Sequence, residues 1–445
     1  MHDPHLHLFV DEAEVTLSQH VYRMVQTARR ESLDAVLPAN GDDEGTGIGY
    51  ACVARRDGGP YRLWYMCHAD GRVRLAESPD GHQWTRHGAA LLNPERYRID
   101  NMAVAPVSSQ ADPWWQGHQL AGYVYGSGET EAEERGHGLF LVRSDDGRHL
   151  EVRHPEILSG VGDRSSLYFD EVAQRYSLIS RPSGRAPGFP TGELERPRAA
   201  NLWTSCDLVE WHNRGVVLCY DERDDADAEI YGMQPFWYGS RLLAWVEMYH
   251  RGPERLDTQL AHSADGIHWQ RVEPRHPVLP LGAEGTWDSH WTVPTNNPPF
   301  LDGDRLVFFY SGAGTKHGSK ARHKRGIGMA SLRLDGFVSL ESGRKPGVAV
   351  TAPLPLTEPM QLEVNANCYS GYVKVDVLSA QDGIQNTPIE GYDSDKAKLE
   401  QVDGVRLPVR WGEKTVVEPV AGGRCHLRFT MEQASLFAYR WAPAS

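Results

Sequence analysis

A short turn that recurs along the chain constrains the fold more than any other feature. The segments "AESPDGHQW" (76–84) and "AHSADGIHW" (261–269) carry Ser, Asp, Gly and Trp at the same places. Degenerate copies lie between them, in "VRSDDGRHL" (142–150) and "TSCDLVEW" (204–211). Their serines are Ser78, Ser144, Ser205 and Ser263, so the steps are 66, 61 and 58 residues. Such a period indicates a fold built from one repeated unit.

An aromatic strand precedes each copy of the turn, and a fifth strand of the same type is "RLVFFYSG" (305–312). The Asp-Gly and Gly-Gly pairs upstream of these strands are typical of hairpins, because glycine accepts the positive φ of the turn. The unit is therefore a four-stranded meander, repeated five times. Such meanders bury their faces by packing radially, which predicts a β-propeller with the recurrent Trp between neighbouring blades.

The repeat stops near residue 340, and alternating strands separated by turn residues follow it. The predicted fold class is all-β: a five-bladed β-propeller over residues 1–345, followed by a C-terminal β-sandwich over 346–445. The stretch "LSQHVYRMVQTARRES" (17–32) is equally compatible with a helix and with strands.

Charge and composition exclude several classes of partner. The net charge of −14 argues against nucleic acid and anionic membranes, both of which need clustered Lys and Arg. The one basic cluster, "KHGSKARHKR" (316–325), is interpreted as a local loop. The six cysteines form no CxxC pair and are expected to be free, buried thiols. No apolar run reaches the roughly 20 residues of a membrane helix, and a cytoplasmic protein is expected. The oligomeric state is not predicted.

Candidate site residues lie where the repeats differ, at the start of each innermost strand. Each start carries an acid, and the first strands of propeller blades line the axis, so these acids are expected to converge in one funnel. They are Asp43 or Glu44, Asp100, Asp163, Glu229 and Asp288. Polar groups beside them and at the ends of the second strands are predicted to bind substrate, together with Trp291. This substrate-binding set is Glu44, His68, Asn101, Arg164, Arg181, Tyr231, Glu247, His290, Trp291 and His317.

Several carboxylates in a polar, aromatic-lined funnel suit glycoside hydrolysis, in which one acid protonates the leaving oxygen and another carboxylate attacks or activates water. We predict Glu229 as proton donor, and Asp100 and Asp163 as nucleophile, base or transition-state stabiliser. Asp288, with His290, is predicted to clamp the substrate or to be an alternative acid. The expected partner is a small glycoside or an oligosaccharide. No cofactor and no required metal are predicted.

The repeated turn, the aromatic strands, the five repeats and the C-terminal strands resemble the five-bladed propeller glycosidases, family 32-like proteins with relatives in family 43. The resemblance implies chemistry on fructofuranosides or arabinofuranosides, with an Asp, Asp, Glu set in the funnel. The family's "NDPNG" motif is absent, and "RIDNM" (98–102) and "GDRSS" (162–166) replace the motifs of the second and third blades. The roles above are therefore assigned by position in the blades.

Two other functions remain open at this stage. The first is phosphate-dependent cleavage, because Arg and Lys suit phosphate geometry; its candidates are Arg164, Arg181, Lys316, His317 and Arg322. The second is a non-catalytic, sugar-binding propeller, because a fold does not fix a function. The funnel acids are also compatible with Ca²⁺, and "HDPHLH" (2–7) with zinc.

Overall fold

The protein is almost entirely β-structure, as its computed structural model shows. The structure describes residues 1–41, 44–45, 47–55, 58–106, 117–129, 135–158, 161–182, 198–317, 319, 325–381 and 387–444. Within these ranges there are 34 strands, three 3₁₀ turns and no α-helix. No helix in this described part is therefore long and apolar enough to cross a membrane. The all-β prediction is confirmed.

The N-terminal segment is extended where a helix was one of two alternatives. Its elements are β1 (Leu6–Leu8), η1 (Glu12–Glu14), β2 (Val15–Gln19), β3 (Val21–Val25), β4 (Arg29–Arg30) and β5 (Leu37–Pro38). The helical interpretation of 17–32 is wrong because strands elsewhere in the chain supply partners that local propensity does not reveal. His20, with φ of 55°, separates β2 from β3 and passes the chain from one sheet to another.

The first three blades are separate four-stranded antiparallel sheets, and the fourth and fifth are joined in one ten-stranded sheet. The first blade contains β6 (Ile48–Arg55), β7 (Tyr61–Cys67), β8 (Arg72–Ser78) and β9 (Thr85–Ala89). After η2 (Pro94–Arg96), the second contains β10 (Tyr97–Pro106), β11 (Leu120–Glu129), β12 (Arg135–Ser144) and β13 (Glu151–Leu158). The third contains β14 (Ser165–Asp170), β15 (Arg175–Ser180), β16 (Ala200–Ser205) and β17 (His212–Leu218). The fourth contains β18 (Ala228–Tyr238), β19 (Arg241–His250), β20 (Arg255–Ser263) and β21 (Trp269–Arg271).

The fifth blade closes the ring with strands from both ends of the propeller. It contains β22 (Trp291–Pro294), β23 (Phe300–Asp302), β24 (Arg305–Ala313) and β25 (Arg325–Arg333), and the N-terminal β4 and β5 pair with β25 as its outer strands. Separate apolar cores join the first blade to the second, the second to the third, the third to the fourth, the fourth to the fifth and the fifth to the first. These five cores make the propeller a closed ring.

The recurrent turn has the same hydrogen bonds at each well-formed copy. In the first blade, Ser78 Oγ accepts from the Gly81 amide at 2.8 Å, and Asp80 Oδ1 accepts from the next two amides. These backbone bonds lower the pKa of Asp80. Gly81 has φ of 82°, and Leu208 adopts φ of 70° in the degenerate copy that lacks glycine. The predicted interblade Trp is confirmed, since Trp84 contacts Phe309 of the fifth blade at 5.6 Å between ring centroids.

The C-terminal region forms two sheets. Its elements are β26 (Val338–Ser342), β27 (Gly347–Thr351), β28 (Leu354–Pro355), β29 (Met360–Asn367), β30 (Tyr372–Ser379), β31 (Lys398–Glu400), β32 (Asp403–Pro408), η3 (Ala421–Gly423), β33 (Arg424–Glu432) and β34 (Ala434–Pro443). One sheet has the order β3-β26-β34-β29-β32 with β1 beside β34, and the other has β2-β27-β33-β30-β31 with β28 beside β33. Sheet pairing thus differs from the predicted division at residue 345, because residues 6–25 and β26 belong to the sandwich.

The sandwich shares its core with the fourth and fifth blades. Phe337 packs against Tyr238 and Trp245, with ring centroids 5.0 and 5.9 Å apart, in a cluster that continues into the sandwich strands. Asp335 accepts a hydrogen bond from Tyr238 at 2.6 Å and pairs with Arg406 of β32. All six cysteines are free, as expected, and four of them are buried. The predicted burial is wrong for Cys206, which is exposed in the turn after β16, and for Cys219, which is partly exposed after β17.

Candidate functional site

A buried polar network crosses the propeller axis. Arg164 Nε donates to both oxygens of Glu247, at 3.0 and 2.9 Å, and Arg164 Nη1 donates to Asn296 at 2.6 Å. Asn296 donates to Asn101 Oδ1 at 3.2 Å, and the Cys52 thiol contacts the Asn296 carbonyl at 3.2 Å. These five residues come from all five blades, and we call their network the axial floor.

The axial floor satisfies its own charges and hydrogen bonds. Arg164 and Glu247 are 2% and 1% exposed, and Asn101 is fully buried. The pair with Glu247 raises the pKa of Arg164 against the opposing effect of burial. Asn101, Arg164 and Glu247 were predicted to contact substrate; the structure instead places them beneath the funnel, where they tie the blades together.

Above the floor, two acid–arginine pairs flank Tyr231. Asp163 pairs with Arg181, whose guanidinium carbon lies 5.4 Å from the centre of the Tyr231 ring. Glu229 Oε2 accepts from Arg198 Nη1 at 2.6 Å, and Arg198 lies 5.6 Å from the same ring. Arg251 approaches the other oxygen of Glu229 at 3.6 Å. The acids predicted in the third and fourth blades therefore lie on either side of one tyrosine.

Asp100 of the second blade lies on the same side of the axis. Its exposed side chain has no hydrogen-bond or ion-pair partner among the described residues. Burial raises the pKa of Tyr125. The positive charge of Arg181 opposes this effect and the negative charge of Asp100 adds to it, so both side chains lie near the Tyr125 hydroxyl. We call Asp100, Asp163 and Glu229, with Arg181 and Arg198, the acid–arginine arc.

The opposite side of the funnel is aromatic and cationic. The Tyr50 hydroxyl lies 2.7 Å from that of Tyr231, which lies 3.0 Å from His317 Nε2. Trp291 stacks on His317 with ring centroids 5.3 Å apart. The side chain of Arg325 covers the Trp291 ring at 4.7 Å.

His68 completes this side of the funnel, since its Nε2 lies 3.1 Å from Arg325 Nη1. We call Tyr50, His68, Trp291, His317 and Arg325 the aromatic–cation wall. Burial, followed by the charges of Arg198, Arg325 and Arg181, lowers the pKa of His317 to about 4. His317 is therefore neutral near pH 7 and adds no charge of its own to the wall.

Three predicted site residues have other surroundings. Asp288 is 2% exposed and accepts from Arg30 at 2.7 Å and Tyr310 at 3.0 Å, behind the fifth blade. Glu44 accepts from the Tyr65 hydroxyl at 2.6 Å, on the first blade. The His290 ring lies 3.0 Å from the Ser289 hydroxyl, and burial and Arg255 lower its pKa. None of the three has a described hydrogen bond or ion pair with the arc or the wall, because each side chain bonds to partners in its own blade or the adjoining core.

Sequence reasoning missed Tyr50, Arg198 and Arg325. Tyr50 follows the acid at the start of the first blade, and its φ of 43° marks a backbone strain that occurs often at functional sites. Arg198 precedes β16 and Arg325 begins β25, and both positions differ from the strand starts and exits at which site residues were predicted. Arg325 ends the basic segment interpreted as a loop. Arg322 and Asp43 lie outside the described residues.

No group of three or more His, Cys, Asp or Glu side chains that could hold a metal ion is present in the described ranges. Asp163 and Glu229 of the arc are paired with arginines, which supply the positive charge that a cation would otherwise provide. His7 of the N-terminal "HDPHLH" segment stacks on Tyr439, with ring centroids 4.8 Å apart.

Comparisons with known proteins find similarity at the level of structure only. No protein-family model matches the chain, and no curated protein matches it. A thermostable family-43 glycoside hydrolase is 14% identical with a TM-score of 0.46, covering 64% of this chain and 89% of that one. A family-32 β-fructofuranosidase of Bombyx mori is 11% identical with a TM-score of 0.41, covering 89% and 92%.

A third similar structure is from the family-130 mannoside phosphorylases and glycoside hydrolases that target β-1,2 mannosidic linkages. It is 10% identical with a TM-score of 0.47, covering 70% of this chain and 94% of that one. Similarity at this level says nothing about which reaction this chain catalyses, so the chemistry of the funnel has to be derived from its own residues.

Proposed function

We propose that this protein is a glycoside hydrolase that binds a glycoside or an oligosaccharide in the axial funnel. The observation that supports this proposal most directly is the acid–arginine arc. It includes Asp100, Asp163 and Glu229 from three successive blades, and its two arginines lie against the Tyr231 ring. Glycoside hydrolysis needs two carboxyl groups on opposite sides of the scissile bond, and sugar rings stack on aromatic faces such as those of Tyr231 and Trp291.

The ion pairs divide the roles among the three acids. A carboxylate that accepts from a guanidinium is suited to act as an anion, as nucleophile, general base or stabiliser of an oxocarbenium-like transition state. Asp163 and Glu229 are in this position. Asp100 has no such partner among the described residues, which leaves it as the candidate to deliver a proton to the leaving oxygen. This assignment exchanges the roles predicted for Glu229 and Asp100.

The test is hydrolysis of a panel of aryl furanosides and pyranosides by Asp100→Asn, Asp163→Asn and Glu229→Gln. Each variant is expected to lose about 100-fold or more in kcat/KM, because each removes a proton-transfer or charge-stabilising group. Glu210→Gln, an exposed acid on the third blade outside the funnel, is the matched control. Unchanged activity in all three funnel variants, with unfolding midpoints like that of the parent, would contradict the proposal.

A leaving-group series separates the proton donor from the other acids. Removal of the donor costs most for poor leaving groups, because activated aryl oxygens need no protonation. Asp100→Asn is therefore expected to retain activity on dinitrophenyl glycosides and lose it on alkyl glycosides. Glu229→Gln is expected to lose activity on both. The opposite pattern would restore Glu229 as the proton donor.

Phosphate-dependent cleavage is a second candidate, favoured by the guanidinium groups of Arg181 and Arg198 beside Tyr231. Arg164 is unsuited to bind phosphate because Glu247 engages it in the buried floor. Turnover that requires inorganic phosphate and releases a sugar phosphate would select this candidate. Turnover in phosphate-free buffer would select hydrolysis.

A further inference from the structure

A small cavity opens between the first and fifth blades, beside the funnel. Its volume is about 10 Å³, close to the least space that one water-sized atom needs. Its lining includes Gly49 and Tyr50 from the first blade, and Trp291, Ser311 and Arg325 from the fifth. A Cβ atom at Gly49 would lie 3.2 Å from His68 Nε2 and 3.9 Å from Ser311 Oγ, so the glycine keeps this space open.

Three hydrogen-bonding groups of the lining have no partner. They are the indole Nε1–H of Trp291, the hydroxyl of Ser311 and the guanidinium Nε–H of Arg325, all buried atoms without a hydrogen bond in the structure. Trp291 and Ser311 are 5% and 4% exposed as whole residues. Buried polar groups are normally satisfied, so three orphan groups around one cavity indicate a missing acceptor.

The charge of the cavity identifies the acceptor as an anion. Within the part of the chain that the structure describes, Arg325 forms no ion pair, and the ionisable groups that act on its pKa are the hydroxyls of Tyr50 and Tyr231. The facing His68 contributes a nitrogen hydrogen-bonded to Arg325, and His317 is neutral. Burying an unpaired cation is costly. Trp291 Nε1 and Arg325 Nε are donor-only groups, which an acceptor-only atom satisfies better than water does.

We propose that Trp291, Ser311 and Arg325 form an anion subsite that receives one oxygen of an acidic group on the bound sugar, a carboxylate or a sulfate or phosphate ester. The proposal rests on the glycoside hydrolase function above and narrows its substrates to acidic glycosides. The cavity admits one oxygen, while the remainder of the group extends past Tyr50 into the funnel. A free inorganic anion has the same chemistry and is the alternative source of the ligand.

The test is calorimetric titration of the full chain with paired sugars: glucuronate against glucose, galacturonate against galactose, and glucose 6-sulfate and 6-phosphate against glucose. At least one acidic member is expected to bind about 10- to 100-fold more tightly than its neutral partner, as for a charge-assisted hydrogen bond. Arg325→Gln is expected to abolish this preference. Trp291→Phe keeps the ring but lacks the indole N–H, and is expected to reduce it by about 10-fold.

Controls separate this role from a structural one. Arg223→Gln removes an exposed arginine of the fourth blade and should leave the preference unchanged. Arg325→Lys keeps the cation and should retain part of the preference. Titration with sodium bromide, and bromide located by anomalous scattering in a crystal, report on a free anion.

Equal binding of every acidic sugar and its neutral partner overturns the proposal. If bromide occupies the cavity in that case, the ligand of the cavity is a free anion and not an acidic sugar. Failure of the proposed hydrolase function can be distinguished from failure of the anion subsite. Acidic sugars that bind through Arg325 without hydrolysis of any acidic glycoside would refute the hydrolase function alone. Hydrolysis of neutral glycosides with no acidic preference would refute the subsite alone.

Discussion

The two sides of the funnel use arginine in opposite ways. In the acid–arginine arc, Arg181 and Arg198 each hold a carboxylate, and below them Arg164 holds Glu247. In the aromatic–cation wall, Arg325 has no carboxylate partner among the described residues and instead contacts His68 and the Trp291 ring. The same residue type therefore pairs with the carboxylates proposed to be catalytic on one side, and on the other it lines the proposed anion subsite.

This difference explains how a chain with a net charge of −14 can hold an arginine that has no carboxylate partner among the described residues. Net charge describes the whole surface, whereas a ligand responds to the local arrangement of paired and unpaired charges. The five acids at the strand starts suggested an acidic funnel. Four of them pair with arginines: Asp163 and Glu229 in the arc, and Glu44 and Asp288 elsewhere.

The largest predicted effect compares a paired arginine with the unpaired one. Arg164→Met leaves Glu247 as a buried, unpaired charge and should lower the free energy of unfolding by about 3–5 kcal/mol. Arg325→Met leaves no described carboxylate unpaired and should change the free energy of unfolding by about 1 kcal/mol or less. Urea unfolding followed by circular dichroism measures both values.

The double variant Arg164→Met/Glu247→Leu is the control for this comparison. It removes both charges and should recover much of the lost stability. Equal losses for Arg164→Met and Arg325→Met would show that pairing does not distinguish the two sides.

The second prediction separates an acid outside the funnel from an acid within it. Asp288→Asn weakens buried bonds to Arg30 and Tyr310 and should cost about 1–3 kcal/mol of unfolding free energy. Asp163→Asn weakens a half-exposed pair and should cost less than about 1 kcal/mol. Thermal unfolding and the glycoside panel are measured on the same preparations. Asp288→Asn should lower the unfolding midpoint and leave the specific activity of the folded protein close to that of the parent. Loss of specific activity with an unchanged unfolding midpoint would place Asp288 in the site.

The third prediction concerns pH. The pKa of His317 is about 4 in the folded protein, against an ordinary value of 6.5. Between these values the unfolded chain binds a proton that the folded chain does not, so the free energy of unfolding falls as pH decreases from about 6.5 to 4. His317→Gln should lessen this dependence by up to about 1.4 kcal/mol per pH unit. Unfolding curves at several pH values measure it, and identical slopes in parent and variant would contradict the assignment.

The smallest predicted effect is that of a substitution that narrows the anion subsite without removing any hydrogen-bond donor. Gly49→Ala places a methyl group near His68 and Ser311 and should weaken binding of the preferred acidic sugar by about threefold, or roughly 0.6 kcal/mol. Titration of this variant measures the change. Because the arc is untouched, binding of the neutral partner sugar should stay the same, and an equal loss for both sugars would indicate a general distortion.

Local pattern predicted most of the architecture. The turn at Ser78, Asp80, Gly81 and Trp84 closes through hydrogen bonds among neighbouring residues, so its sequence alone specifies its geometry. Strand alternation and hairpin glycines likewise act over a few residues. The N-terminal strands were harder to predict, because β2 pairs with β27 and β4 with β25, more than 290 residues away.

The candidate site was only partly predictable for the same reason. Sequence position brought Asp100, Asp163, Glu229, Tyr231, Trp291 and His317 into consideration, since each lies at a strand start or exit that a propeller directs to its axis. Position could not show that Arg164 would pair with Glu247, that Asp288 would pair with Arg30, or that Arg325 would have no carboxylate partner among the described residues. Those outcomes depend on distances between residues that lie far apart in the chain.

The sequence by itself determined a ring of repeated β-meanders, because repetition, alternation and turn chemistry are local and each copy repeats the same physical solution. Only the tertiary structure decided which charges are neutralised, buried beneath the funnel or left facing it. Ion pairing and desolvation depend on angstrom-scale separations across blades, and those separations exist only once the ring has closed.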